Sequence, residues 1–482
     1  MKRLVVLGFL LLCSVSTILL AADDSSGDEI TVEEGVFGDL DDLLGGFETD
    51  DPITLIVDEP STLLPVVASS SAVMVSTESP FTMDGRLWLK SGWAYAFEED
   101  AVVPFDRAGL SLLRGGISLH SRIRFGDDWF GEVSGKAVSD LAYMIKGWDA
   151  YSPEQLESAR QEAVLYEAFI DGSVLPDWQI RVGRQIFSLG KADQLQVLDR
   201  LNPLDLRTPG LQEIQDIKLP VGAVKLSWSP LGVLTVSGAL VSELRQAEMP
   251  VYGSEFYQAG SMAFTDLWPE SGEDENEYFL SADLNIGGWD LSLVYGYYLW
   301  DIPRLENRDG QMTRVYDRVH TAGGAAETAL GPLILTLEGG YIHGFGFQAD
   351  PDTEYSRIDL LGGVSWKAPL GISIAMEICL RHFPDLDETI LMPFENAEQS
   401  SWESSLRLSR SFFHERLKFN VAAMLMGLEM ENGGIIRADA EWELSDGFKA
   451  KITWADYLDG KSGMLKGAGD NDRILFSVTR SF

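Results

Sequence analysis

Only two cysteines and five histidines occur in the 482 residues of this chain. Cys13 lies in an N-terminal apolar run, which leaves Cys379 alone in the remainder and excludes an intrachain disulfide framework. His120, His320, His343, His382 and His414 are scattered without metal-ligand spacing. No Gly-x-Ser-x-Gly or Cys–His pattern marks a nucleophile, so neither enzyme, metal nor cofactor is expected. Basic residues are also scarce. Lys and Arg number 37 against 75 Asp and Glu, a net charge of −38, and such acidity argues against nucleic acid, whose phosphates demand cations. Beyond the first 22 residues no apolar run reaches the roughly 18 residues that a membrane-crossing helix needs. A helical-bundle membrane protein is thereby excluded.

What is present begins with Lys2 and Arg3, the apolar run 4–20, and the small pair Ala21–Ala22 before Asp23. This is the layout of a secretory signal peptide over residues 1–22. Residues 23–85 then carry sixteen acidic residues and no basic one. Their Ser, Pro and Gly content predicts a disordered periplasmic extension over 23–84. Phe37, Leu40, Leu44 and Phe47 recur at helical spacing, which predicts a short helix within 36–47. That helix is either transient or a docking element for a periplasmic partner.

From residue 85 to 482 the texture changes to alternating segments. In "GISIAMEICLR", Ile372, Ile374, Met376, Ile378 and Leu380 face one way, and Ser373, Glu377, Cys379 and Arg381 face the other. Strands of this kind suit a wall with oil on one side and water on the other. Short turns, as at Gly126–Asp128, Gly287–Gly288 and Ser445–Gly447, alternate with long polar connections, as at 142–161, 189–220 and 243–276. The pattern predicts an all-β fold: a transmembrane antiparallel β-barrel of about 18 strands (16–18), with short periplasmic turns and long outer loops. Trp129, Trp178, Trp228, Trp289, Trp366 and Trp442 each lie beside a short turn, as expected of an aromatic girdle at headgroup level.

A barrel of this size keeps an aqueous lumen, so function rests on its lining. The faces opposite the apolar ones carry Arg86, Lys90, Arg122, Arg124, Arg181, Lys225, Arg357, Lys367, Arg381, Lys418, Arg437, Lys449, Lys451 and Arg473. Fewer acids share those faces: Asp283, Glu338, Asp359, Glu377, Asp439, Glu441 and Glu443. Two of these assignments are also consistent with wall stability, since a hairpin at 445–447 sets Glu443 opposite Lys449 and Glu441 opposite Lys451. The other cations predict a path that favours anionic or polar solutes. Arg184 is an exception, because alternation puts it with Ile180 and Val182 on the lipid side. Since an Arg near the midplane there costs about 2–4 kcal/mol, a bulge or early strand end is expected to turn it inward.

The connection 189–220 carries Lys191, Asp193, Arg200, Asn202, Asp205 and Arg207, with turn chemistry at Asn202–Pro203 and Thr208–Pro209–Gly210. Such a segment either folds into the barrel and constricts it or packs over the outer rim. The stretch 178–228, "WQIRVGRQIFSLGKAD…DRLNPLDLR…IKLPVGAVKLSW", resembles a family of large Gram-negative outer-membrane barrels related to alginate-export-type porins. Gly183, Arg184, Gln185, Asn202, Pro203 and Asp205 match its Gly-Arg-Gln and Asn-Pro-x-Asp elements, and Leu189 stands where that family has Trp. The resemblance implies an outer-membrane channel, with no particular solute.

The final segment, "RILFSVTRSF", alternates Ile474, Phe476 and Val478 with Arg473, Ser477 and Thr479 and ends on Phe482. It resembles the closing-strand signal that the barrel-assembly machinery reads. The expected function is a porin-like outer-membrane channel in contact with outer-membrane lipid. The alternative is a non-conducting receptor or scaffold that acts through the acidic tail.

Overall fold

The computed structural model describes residues 79–482 except 97–107, 127, 213, 258–264, 268–275, 309–310, 348–349, 387–397 and 462–464. The signal peptide, the acidic extension and the 36–47 helix lie outside the described residues.

Eighteen antiparallel strands form one closed sheet. β1 (Phe81–Ala94) pairs with β2 (Gly109–Phe125), which turns at 126–128 into β3 (Trp129–Asp140). β4 (Gln161–Leu175) and β5 (Trp178–Gln185) form the next hairpin, followed by β6 (Val221–Leu231) and β7 (Leu234–Val241). A three-residue strand, β8 (Thr265–Leu267), belongs to the long connection that follows. The wall continues with β9 (Glu277–Ile286) and β10 (Trp289–Leu299). β11 (Arg304–Arg308) and β12 (Gln311–Val315) join β8 in a small separate sheet. Then come β13 (Arg318–Leu330), β14 (Leu333–Phe347), β15 (Asp350–Ala368) and β16 (Ile372–His382). β17 (Ser400–Phe412), β18 (Leu417–Met426), β19 (Gly434–Ser445) and β20 (Phe448–Leu458) complete the hairpins. β21 (Arg473–Ser481) pairs back onto β1, Arg86 opposite Ser481 and Ala94 opposite Arg473, which leaves no open edge in the barrel.

Alternation decides which face each residue takes. On β16, Met376 and Ile378 are about half exposed, whereas Glu377 and Cys379 are buried on the inner side. The expected cross-strand partners of the last hairpin are found in register, Glu443 with Lys449 and Glu441 with Lys451. All six tryptophans beside the short turns stand at the same end of the barrel, and Trp178 stacks on Trp228 with centroids 5.7 Å apart.

The interior is not an empty tube. The connection from β5 to β6, residues 186–220, enters the lumen and packs on its wall. Phe187 and Leu201 join inner-face residues Val221, Ala223, Val241, Phe279, Tyr298, Val319 and Ile342 in one apolar cluster. Leu195, Val197 and Leu198 form a second with Val294, Ala325, Leu361 and Met424. Apolar side chains on an inner face are stable only when something covers them, and this segment is the cover. Two short helices, α1 (Ala142–Lys146) and α2 (Pro153–Ala159), occupy the β3–β4 connection, where the Ser152 side chain caps α2 by accepting from the Gln155 amide.

Candidate functional site

Segment 186–220 crosses the lumen, held at its two ends by opposite chemistries. Its first half offers backbone N–H groups to carboxylates of the wall. Glu377 of β16 accepts from the amides of Asp193 (2.7 Å), Gln194 (3.0 Å) and Leu195 (2.8 Å). Glu338 of β14 accepts from the Lys191 amide at 3.2 Å, and the Lys191 ammonium reaches Asp290 of β10 at 2.9 Å. Gly190 makes this approach possible: its φ is +84°, and a Cβ there would stand 1.8 Å from the Glu338 carboxylate oxygen.

The second half offers carbonyl oxygens to cations and phenols of the facing wall. Lys90 of β1 donates to the Leu211 carbonyl at 2.7 Å, Arg437 of β19 to Gly210 at 3.1 Å, and Tyr457 of β20 to Pro209 at 2.7 Å. Arg381 of β16 holds the middle through the Gln196 carbonyl at 3.2 Å. Within the segment, buried Asn202 accepts from the Phe187 amide at 2.6 Å and donates to the Leu219 carbonyl at 2.9 Å, which ties entry to exit. Lys218 and Asp199, both buried, pair at 2.6 Å. Arg207 binds Asp205 at 2.6 Å and Glu162 of β4 at 3.4 Å. Burial alone would raise the Asp205 carboxyl, but hydrogen bonds and charge from Arg207 outweigh it and hold it below its ordinary value of 3.8.

The predicted constriction residues Lys191, Asp193, Asn202, Asp205 and Arg207 thus all belong to one inward-folded segment. Arg200 lies in it too, donating to the Gln196 carbonyl and stacking on Trp300 at 5.1 Å.

Among the expected lining cations, Arg86 and Lys90 face a cavity of about 170 Å³ between the segment and the wall of β1–β4 and β21. Arg122 is on the inner face bound to Glu132 at 2.8 Å, and Arg124 follows it toward the short-turn end. Arg181 is bound to Asp171 at 2.6 Å, and Lys225 stands opposite Arg181 in register. Arg357 and Arg381 share Asp359 and sit under the segment with Trp300, Phe345 and Phe383 around the Arg357 guanidinium. Arg437 is buried against Asp439. Arg381 and Arg437 anchor the segment through the Gln196 and Gly210 carbonyls, and Arg357 is enclosed by Asp359 and the three rings rather than lining open water. The excess of inner-face cations is smaller than alternation suggested, because Glu132, Asp140, Asp171 and Glu403 also point inward and pair with them.

Arg184 does not turn inward. Gly183 has a φ of +134°, but the register runs without a shift from Ile170↔Val182 to Ala168↔Arg184, so Arg184 keeps the outward face. It lies one residue before β5 ends, where Glu243 pairs with it at 3.1 Å and the Pro220 carbonyl accepts at 3.3 Å. A carboxylate at a strand end, not a bulge, satisfies this charge.

Two features were not anticipated from the sequence. Trp88 of β1 lies flat on the wall over Gly116, where a Cβ would meet the indole at 2.5 Å. Residues 251–257 of the β7–β9 connection also fold inward. Glu255 binds the fully buried Arg473 at 2.5 Å, and Phe256 packs on Tyr457 at 5.2 Å. Arg114 and Lys136, in phase with the inner faces of their strands, complete the cavity with Asp140 and Asp216 as partners.

A family model described as "Protein of unknown function (DUF1302)" matches residues 12–482. No curated protein matches the sequence. Among solved structures, Pseudomonas aeruginosa OccK8 (OprE) is similar with a TM-score of 0.50 at 10% identity, over 83% of this chain and 98% of that one. Pseudomonas aeruginosa OccK2 (OpdF), solved in complex with glucuronate, is similar with a TM-score of 0.50 at 11% identity, over the same shares of 83% and 98%. At such identities the likeness is one of fold, an 18-stranded porin-type barrel.

Proposed function

Because the chain belongs to the DUF1302 family and closes into a porin-type barrel, we propose that it is an outer-membrane channel for passive diffusion or export of small polar and anionic organic solutes. The observation that carries this reading is the inward-folded segment 186–220. It covers the inner face of β6–β16 with an apolar core, and in this reading the cavity along β1–β4 and β21 is the passage. A wall built only for shape would not need polar groups in that passage. Here Arg86, Trp88 and Lys90 follow one another on the inner face of β1. Among the described residues Arg86 has no carboxylate partner. Lys90, which donates to the Leu211 carbonyl, stands directly opposite Arg114, which Asp140 holds at 3.4 Å, so two cations adjoin Arg86 on this stretch of wall.

The remaining elements belong to the same proposal. Residues 1–22 export the chain, the strand ending at Phe482 presents it to the barrel-assembly machinery, and the acidic extension is available to a periplasmic partner. Kinship with alginate-export-type porins rests on the 178–228 motif alone. The test is the reversal potential of the purified channel in a planar bilayer under a salt gradient. Anion preference is expected, and Arg86→Gln should reduce it. Clear cation preference, or no conductance, would sink the reading. Deleting residues 23–75 should leave conductance unchanged if the tail serves a partner instead.

A further inference from the structure

On the outer face of the barrel, a polar row crosses five strands at the end opposite the tryptophans. In register it reads Tyr278 (β9), Tyr297 (β10), His320 (β13), His343 (β14) and Ser356 (β15). With His382 of β16, bound to Ser400 at 2.8 Å, three of the five histidines in the chain share this belt. On the strand side nearer the tryptophans, the same faces carry Leu293, Leu337 and Leu360, all more than half exposed. Trp289 and Tyr297 lie eight residues apart on β10, about 27 Å along the strand. At a tilt of about 35–45° this is about 20 Å of height, close to the apolar band of an outer-membrane barrel. The row therefore stands at the far boundary of the band, where headgroups begin.

The imidazoles there are oriented. The Tyr295 hydroxyl meets Nδ1 of His320 at 2.9 Å, and the Ser356 hydroxyl meets Nδ1 of His343 at 2.9 Å. A hydroxyl that donates to Nδ1 leaves the ring proton on Nε2 as an outward donor. The Tyr297 ring lies 4.5 Å from that of His320, and the Arg318 guanidinium sits 5.2 Å over Tyr297. Nε2 of His343 already takes an anionic oxygen, that of the largely exposed Glu354 carboxylate at 3.3 Å.

We propose that the outer face of β10, β13 and β14 docks the phosphate-bearing headgroup of an outer-leaflet lipid on Arg318, His320 and His343, with its acyl chains on the Leu293–Leu337–Leu360 face below. The proposal rests on the barrel being membrane-spanning, and two observations select the occupant. The row is continuous with the lipid-facing belt, and its N–H donors and guanidinium complement phosphate oxygens. Glu354 is the competing anion, displaced when the headgroup binds.

The test uses the full chain purified in neutral detergent, with retained lipid counted by native mass spectrometry. The probes are a bisphosphorylated acylated glucosamine lipid, the same lipid after dephosphorylation, and inorganic phosphate. The phosphorylated lipid should be retained about tenfold better than the dephosphorylated one, the worth of one charge-assisted contact at an exposed site. His320→Gln with His343→Gln should abolish that difference, Arg318→Gln should reduce it, and Glu354→Gln should increase retention. Equal retention of both lipids, or an unchanged preference in the double variant, overturns the proposal. So does complete displacement by equimolar inorganic phosphate, which would indicate a site for the free ion. Planar-bilayer conductance of the double variant keeps the two readings apart: a conducting variant that has lost lipid preference supports both, and a non-conducting wild type with intact preference refutes only the channel.

Discussion

Replacing Glu377 with Ala is the sharpest way to ask whether segment 186–220 sets the width of the passage. The carboxylate is buried and accepts three consecutive amides, at 2.7, 3.0 and 2.8 Å. A hydrogen bond to a charged acceptor contributes about 1.5–3 kcal/mol, so three would sum to about 5–9 kcal/mol if independent. They are not independent, since they share one carboxylate and water can enter to serve the freed amides. A loss of about 3–4 kcal/mol is therefore the reasonable expectation, a shift of about 10²–10³ in the docking equilibrium of the first half. The second half keeps its anchors on Lys90, Arg437 and Tyr457, so the segment should swing rather than leave. Single-channel recording reads this directly. Glu377→Ala should show larger open-channel noise and added high-conductance sublevels, and Glu377→Gln, which keeps one acceptor oxygen, should fall between. If Glu377→Ala folds, as judged by its heat-modifiable gel mobility, and its traces match wild type in step size and noise, the segment does not set the width.

Other expectations follow from the same contacts. Gly190→Ala adds a Cβ that collides with Glu338 at a φ of +84°, so the entry of the segment should shift. The backbone strain alone costs about 1–2 kcal/mol, to be read as a lower thermal midpoint and altered conductance. Asn202→Ala breaks the tie between Phe187 and Leu219 and leaves a buried amide unsatisfied, a loss of about 1–3 kcal/mol that a chemical denaturation series can measure. For pH, the Asp205 carboxyl lies below 3.8 in the folded chain. Its pairing with Arg207 therefore stabilises above that value and is lost as pH falls through the lower folded value. Channel noise should rise on acidification below about pH 4, and Asp205→Asn should remove that component.

Much of the architecture could be read directly from the sequence, for identifiable reasons. A strand with lipid on one side and water or protein on the other must alternate, so 372–381 announced its faces. The short connections carry turn residues or flank a Trp, and the turn at 445–447 is enough to set Glu443 opposite Lys449. The interior was legible only as a direction. Alternation put Arg357, Arg381, Arg437 and Glu377 on the inner face, yet it could not tell open water from a protein segment lying across them. That depends on partners far along the chain. Arg184 failed for a related reason: its neutralising Glu243 belongs to another connection, and no local pattern links the two. The inward fold of 251–257 was invisible because Glu255 and Phe256 have no periodic neighbours, whereas Arg473, their partner, was correctly placed.

The anchors of segment 186–220 also impose an order on assembly. Its first contacts wait for Glu338 and Glu377, 147 and 184 residues further along the chain. The carbonyls of Gly210 and Pro209 wait longer, for Arg437 and Tyr457, 227 and 248 residues downstream. Closing such spans earns nothing until the late strands are in position. A nascent barrel therefore passes through stages in which its wall is partly built and its interior still bare, with Val221, Phe279 and Ile342 facing an uncovered cavity. The segment behaves as a keystone, seated after the arch around it stands. Weakening its seat should then be felt first as slow maturation and susceptibility to proteolysis, before any change in the finished barrel.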